Sequence, residues 1–218
     1  AICCEAIAPG LTQMGVMLPY APLLQLIAEA FQLPLLATSG NVSDSPIVYE
    51  DEEALAHISA IADFVVTHNR EIVVPQDDSV VKYTTLHQQR IILRRSRGMA
   101  PSYLHYTAKK SESILAAGAL LKSSFTFTAN GNTYVSQYLG NTDGYEAQEA
   151  YKETVQHFMR LFRQEPQLVV VDKHPLYFST QFGKTLSEKH GYLLLAVQHH
   201  KAHAAAVLAE NKVVHTSS

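Results

Sequence analysis

The sequence predicts an α/β protein built as two unequal modules in tandem. Three observations carry that expectation. Helix and strand patterns alternate along the 218 residues, a Gly98-Met99-Ala100-Pro101-Ser102 break interrupts them near the middle, and the second half reads as three strands followed by helix–strand pairs.

Composition narrows the function classes. The chain is 47% hydrophobic and 17% charged, with 17 basic and 20 acidic residues for a formal charge of −3. That balance argues against general electrostatic binding to nucleic acid or anionic membrane. Apolar content is ordinary, which disfavours disorder. No stretch of 18 apolar residues suggests a transmembrane helix, and the opening AICCEAIAPG lacks the basic and long apolar regions of a signal peptide. The length predicts a core able to bury most of its apolar surface. Adjacent Cys3 and Cys4 read as reduced thiols of a cytoplasmic protein, because neighbours rarely bridge and no third Cys is present. Eleven histidines are an excess, and five of them (His190, His199, His200, His203, His215) fall in the last thirty positions.

The first module is expected over residues 1–104. Pro22 opens a helix to Phe31, with Leu23, Ile27 and Phe31 on one face. Leu35 to Thr38 reads as a short strand closed by Ser39-Gly40-Asn41. Glu50 to Ala62 reads as a helix with acidic residues in its first turn. Phe64 to Thr67, Ser79 to Tyr83 and Ile91 to Arg94 read as strands. A linker is expected over residues 105–112, in a polar and aromatic stretch without period.

The second module is expected over 113–218. Ile114 to Ala119, Phe125 to Ala129 and Thr133 to Tyr138 read as strands, the last two joined by the hairpin signal Asn130-Gly131. An amphipathic helix over 143–164 presents Tyr151, Val155, Phe158, Met159 and Phe162, and Pro166 ends it. A strand at Leu168 to Val171, a helix at Thr180 to His190, a strand at Tyr192 to Val197 and a helix at His200 to Asn211 follow. This βββαβαβα order matches the repeating unit of the actin-like, ribonuclease-H-like (ASKHA) fold; that fold uses two units and one is counted here, so either the second is missing or the arrangement is a different α/β one.

Several motifs carry chemistry. His199 and His203 are spaced i, i+4, which on a helix sets two imidazoles on one face within reach of one divalent ion. The other reading is a surface or capping pair, and two ligands alone do not make a zinc or iron site. Thr38-Ser39-Gly40-Asn41 offers hydroxyl, amide and backbone donors to an anion, or is an ordinary turn. Arg90, Arg94, Arg95 and Arg97 suit bidentate phosphate binding, or form a solvated basic face. Lys122 sits in a turn between the first two strands of the second module, as a phosphate contact or a solvated lysine. Asp172-Lys173-His174-Pro175 ends a strand at its carboxyl end, where sites form in α/β sheets; His174 either orients substrate or caps the turn. No GxSxG elbow, Walker loop or GxGxxG is present.

In order along the chain, these segments resemble the HypF hydrogenase-maturation carbamoyltransferases. They are Gly15 to Leu23, Thr38 to Asn41 with Ser45-Pro46-Ile47, Ala62-Asp63 with His68-Asn69-Arg70, and Asp77 to Val80. Then come Leu93 to Pro101, Gly118 to Lys122, Ser136-Gln137, His174-Pro175 with Tyr177 and Ser179-Thr180, and Val197 to His203. The resemblance implies an α/β fold comprising the carboxyl-terminal part of a YrdC-like domain followed by the first half of a TsaD-like, actin-like βββαβαβα domain. It implies ATP and carbamoyl phosphate as substrates and a carbamoyl-adenylate intermediate. The carbamoyl acceptor it implies is the carboxyl-terminal Cys thiol of a HypE-like protein, in nickel–iron centre maturation. It further implies nucleotide contacts at Ser39, Asn41, Ser79, Arg94 and Lys122, and a divalent metal, zinc or iron, on His199 and His203.

Against the family pattern, the acylphosphatase and zinc-finger domains, the start of the YrdC-like domain and the rest of the TsaD-like domain are absent. The chain is therefore expected to be an inactive fragment of a larger enzyme. Lys201 stands where the family usually has His, Asn141 where Asp is more usual, and Lys82 where Arg is. A tRNA threonylcarbamoyl transferase, which uses related domains, and a non-catalytic metal or docking module are the alternatives.

Overall fold

The structure, a computed structural model, describes residues 4–41, 47–104 and 109–211. Cys3, Ser45, Pro46, His215 and linker positions 105–108 lie outside the described residues. The chain divides into two compact units, Ala1–Thr38 and Ser39–Ser218, a different division from the one expected at 105–112.

In the first unit, a short helix α1 (Cys4–Ile7) precedes α2 (Pro22–Phe31). Pro22 takes the first turn of α2, where its missing N–H costs nothing. Gln32 closes the helix in the left-handed region, donating its N–H to Ala28 O. The expected apolar face is exposed: Leu23, Ile27 and Phe31 are 53%, 41% and 51% accessible.

The second unit starts with α3 (Asp51–Glu53), continued by a π-type turn over Ala54–Ile58 in place of the single helix expected to Ala62. The strands read at 79–83 and 91–94 form as β1 (Val80–Tyr83) and β2 (Arg90–Arg94), which pair as an antiparallel hairpin. The strands expected at 35–38 and 64–67 are not formed. A strand exists only by pairing, and among the described residues nothing pairs with either segment.

The rest of this unit is built on a six-stranded sheet. Its strands are β3 (Ser102–Leu104), β4 (Ile114–Ala116), β5 (Thr126–Ala129), β6 (Asn132–Val135), β7 (Leu168–Asp172) and β8 (Leu193–Val197). Their spatial order is β3-β6-β5-β4-β7-β8. The β4–β5–β6 meander is antiparallel, whereas β4–β7 and β7–β8 are parallel and joined through α4 (Tyr145–Phe162) and α5 (Phe178–His190). The chain described ends with α6 (His199–Glu210). From β4 onward the order is the expected βββαβαβα. Asn130 and Gly131 both take positive φ, 54° and 85°, the backbone of a tight hairpin turn between β5 and β6. The strand β3 was not expected: Ser102 to Leu104 are too short and too polar to show a period, yet they pair with Val135 to Thr133 along the edge of the sheet.

Alternation along the strands explains the core. Leu115 and Ala117, Phe125 and Phe127, and Val169 and Val171 point inward under α4, which buries Tyr151, Val155 and Phe158. Phe158 and Phe125 meet edge to face at 4.9 Å, a favoured aromatic geometry. Outside this module the core does not extend: between Glu5 and Leu104, Ser96 is the one buried residue among those described. The 15780 Å² of accessible surface exceeds the roughly 10,000 Å² expected of a folded chain of this mass, so less surface is buried than the length alone predicts.

Tyr151 is fully buried, and its hydroxyl donates to Ala117 O at 2.6 Å, tying α4 to the end of β4. Tyr151→Phe is expected to lower stability by about 1–2 kcal/mol, by orphaning part of that carbonyl's bonding. Burial also pushes the Tyr151 phenol well above its usual value. The unfolded chain then loses this proton near pH 10 while the native state keeps it. The contribution is full below about pH 10 and falls as pH rises beyond it. Denaturant midpoints across that range should fall more steeply for the native sequence than for Tyr151→Phe.

Candidate functional site

Asp172 is the last residue of β7, and His199 opens the helix that follows β8. These strands are parallel neighbours in register, with Asp172 opposite Val197. Both chains therefore turn out of the sheet at one carboxyl edge, where α/β sites form. His199 Nδ1 lies 2.6 Å from Asp172 Oδ2. Asp172 Oδ1 accepts the His174 backbone N–H at 2.8 Å, and Thr180 donates to the Asp172 carbonyl. Lys173 N–H donates to Val197 O, closing the two loops together. Burial acts to raise the Asp172 carboxyl pKa, but the bonds from the His174 amide and His199 ring and the charges of His199 and His174 hold it below its usual value. The Asp172 side chain is 7% exposed and that of His199 47%, so the carboxylate is sheltered and the imidazole open.

One turn along α6, His203 Nε2 stands 3.0 Å from His199 Nε2, as i, i+4 spacing dictates. The His174 ring stacks on Tyr177 at 4.1 Å, and Tyr177 meets His199 edge-on at 6.2 Å. His200 and Lys201 are exposed on the same helix. The spacing of the two Nε2 atoms is compatible with two ligands of one divalent ion. Nitrogens about 2.0–2.1 Å from one ion lie roughly 2.8–3.4 Å apart between octahedral and tetrahedral angles. The two Nε2 atoms fall in that range. Among the described residues no third His, Cys, Asp or Glu joins them as a ligand.

The expected nucleotide contacts fall elsewhere. Ser39 donates to Asn41 Oδ1, so these two hold each other across Gly40. Ser79 Oγ accepts the Ser96 N–H and donates to Arg97 O, both at 2.8 Å, clamping the ends of the β1–β2 hairpin. Arg94 lies 3.8 Å from Asp77 and 5.1 Å over the Tyr138 ring. Lys122 is exposed at positive φ, with its backbone N–H bonded to Asn141 Oδ1 at 3.0 Å. Asn141 thus supplies a polar contact to the Lys122 amide. The structure brings together Ser39 with Asn41, Ser79 with residues 96–97 beside Arg94, and His199 with His203.

Sequence reading placed the Asp172 to Pro175 loop at a functional edge but gave Asp172 no role. The signal for one lay in the equal lengths of β7 and β8 and the two residues from Val197 to His199.

From β4 onward the sheet order, with the histidine pair at its carboxyl edge, is that of an actin-like domain. Comparisons with known proteins agree. The family described as "HypF Kae1-like domain" matches residues 109–210, and the Sua5/YciO/YrdC family, described as "Telomere recombination", matches residues 1–96. A protein of Synechocystis sp. named carbamoyltransferase HypF is 37% identical over 98% of this chain and 27% of its own length. A Methanocaldococcus jannaschii protein named probable carbamoyltransferase HypF is 36% identical over 93% of this chain and 26% of its own. The crystal structure of T. kodakarensis HypF superposes with a TM-score of 0.85 at 35% identity, over 95% of this chain and 27% of that one. The crystal structure of full-length HypF in the phosphate- and nucleotide-bound form superposes at 0.82 and 39% identity, covering 91% of this chain and 31% of that one. The chain belongs to the HypF family. It spans about a quarter of the length of the curated relatives it matches. No helix among the described residues is long and apolar enough to cross a membrane.

Proposed function

We propose that this chain is part of a cytoplasmic, ATP-dependent carbamoyltransferase that activates carbamoyl phosphate as carbamoyl-adenylate. The carbamoyl group then passes to the carboxyl-terminal Cys thiol of a HypE-like acceptor. The observation that carries the reading is the paired His199 and His203 at the carboxyl edge of a Kae1-type sheet, in a chain whose relatives bear the carbamoyltransferase name across almost all of its length. In this reading residues 1–104 belong to the module that forms the adenylate, and residues 113–218 to the module that transfers the group. A bound solved relative is described as holding phosphate and nucleotide, which supports ATP as the co-substrate.

Each residue's part follows from its chemistry. Asn41 and Arg94 contribute amide and guanidinium donors to the anionic ligand of the first module, Ser39 contributes its hydroxyl by exchanging its bond to Asn41 for one to that ligand, and Ser79, whose hydroxyl donates to Arg97 O, holds the hairpin that carries Arg94. Lys122 contributes a point charge at the turn after β4. His199 and His203 would hold a zinc or iron ion, which would supply positive charge to phosphate or acyl oxygens. Transfer itself is attack of the acceptor thiolate on the carbamoyl carbon: a C–S bond forms, the C–O bond to the adenylate phosphate breaks, and AMP leaves with the electron pair.

The test uses the protein made from the complete reading frame that encodes this chain. With carbamoyl phosphate, ATP and a Cys-terminated acceptor, AMP and a thiocarbamate should accumulate. Turnover of threonylcarbamoyl-adenylate with tRNA alone would replace this reading with the tRNA-modifying one. His199→Ala should reduce bound metal from near one ion per chain to a small fraction and slow transfer at least tenfold. Unchanged metal content would remove the ligand assignment.

A further inference from the structure

We propose that Asp172 is the positioning carboxylate of the metal-binding histidine, fixing the His199 ring with its proton on Nδ1 so that the Nε2 lone pair faces His203. The inference rests on the reading of His199 and His203 as ligands and adds a residue which that reading does not include. It is carried by geometry. Asp172 Oδ2 stands 2.6 Å from Nδ1, on the far side of the ring from Nε2, which is 3.0 Å from the second imidazole. In this arrangement Asp172 serves as a partner of a ligand. A carboxylate on the distal nitrogen of a ligating His sets its tautomer and ring orientation.

The neighbours of Asp172 make the assignment sharp. Both carboxylate oxygens act as acceptors: Oδ1 takes the His174 backbone N–H at 2.8 Å, and Oδ2 takes His199 Nδ1–H. The bond from Thr180 to the Asp172 carbonyl and the Lys173–Val197 backbone bond fix where that carboxylate stands. The Tyr177 edge against His199, itself stacked on His174, limits the ring's rotation from the side. With Nδ1 protonated, His199 Nε2 is an acceptor and the short Nε2–Nε2 contact carries one proton, donated by His203. A metal ion takes the place of that proton once the His203 proton resides on its own Nδ1.

An amide at position 172 cannot reproduce this. The His174 N–H is fixed by the backbone and needs an acceptor, so the Asn oxygen would face it and the Asn NH₂ would face His199. A donor facing Nδ1 forces the His199 proton to Nε2, where it blocks ligation.

The experiment compares the protein made from the complete reading frame that encodes this chain with its Asp172→Asn variant. The first readout is the ¹⁵N–¹H spectrum of ¹⁵N-histidine-labelled, metal-free protein. The native chain should show His199 protonated at Nδ1, and Asp172→Asn should show it protonated at Nε2. The second is Zn²⁺ affinity by competition with a chromophoric chelator. It should fall about 10–100-fold in Asp172→Asn, with the far-UV dichroism and thermal midpoint near the native values. A native His199 protonated at Nε2 would overturn the proposal by itself, even if the variant does not fold. An Asp172→Asn affinity within twofold of native, with the tautomer unchanged, would overturn it as well. Failure of the underlying reading looks different: His199→Ala and His203→Ala would leave Zn²⁺ binding unaltered, while the tautomer spectrum still decides the role of Asp172.

Discussion

Gly118→Ala is expected to cost about 3–5 kcal/mol of folding free energy, combining a left-handed backbone penalty with overpacking against main chain. Gly118 ends the run after β4 with φ at +74°, and a Cβ built there would stand 2.1 Å from the Ser124 carbonyl oxygen. A backbone atom is a poor partner for such a clash, because it moves only if its segment moves. That segment is held on several sides. Ser123 N–H donates to Gly140 O at 2.7 Å, and Leu139 N–H donates to Ser123 O at 2.8 Å. The N–H and hydroxyl of Thr142 both reach Leu120 O, and Asn141 holds the Lys122 amide. Gly118 O in turn accepts the Ser179 hydroxyl from α5. The turn therefore cannot yield without loosening β5, the residues after β6 and the start of α5 together. Urea titration of Gly118→Ala should show a large drop in midpoint with little change in slope. A loss below about 1 kcal/mol would mean that the turn relaxes freely. Because Lys122 rides on this turn, its backbone position should shift in any variant that does fold.

Particular residues show what was legible in the sequence. The second module could be read element by element because its signals are local: Asn130-Gly131 names a hairpin, Pro166 stops α4, and Tyr151, Val155 and Phe158 repeat at helical spacing. Tyr151, Val155 and Phe158 are the helix side of the core found between the sheet and α4. The first module was read less well for the same reason inverted. Leu35 to Thr38 and Phe64 to Thr67 are apolar enough for strands, but a strand is a statement about a neighbour, and no described neighbour pairs with them. The strand β3 failed in the other direction: three residues with no period are a strand because Thr133 to Val135 lie beside them. At the site, His199 and His203 were visible because one helix sets their spacing. The part played by Asp172 depends on the register between β7 and β8, which no single segment encodes. The commitment of Ser79's hydroxyl to a hairpin clamp was invisible in the same way.

Gly183→Val should lower stability by about 2–3 kcal/mol through overpacking between α5 and the sheet. No pattern in the sequence marks Gly183, since a helix glycine usually costs about 1 kcal/mol relative to Ala and invites replacement. Here it lets α5 lie directly on β7. A Cβ at 183 would come within 2.5 Å of Val171 Cγ1 and 3.2 Å of Val169 Cγ1, both in the buried core. Each methyl added there pushes the helix off the strand, and Val adds two beyond the Cβ. The site is drawn into the same movement. Asp172 follows Val171, and Thr180, one turn before Gly183, donates to the Asp172 carbonyl at 3.2 Å. The mechanism makes a coupled prediction that a simple loss of stability would not. Val171→Ala alone should destabilise by about 1–3 kcal/mol through the cavity it opens. Combined with Gly183→Val, the freed space takes up the new side chain, and the double variant should be more stable than the sum of the singles by about 1–2 kcal/mol. Strict additivity in the double-mutant cycle would mean that the clash is relieved elsewhere, by a shift of α5 along the sheet. In that case the Thr180–Asp172 bond should lengthen while the Val171 packing stays intact.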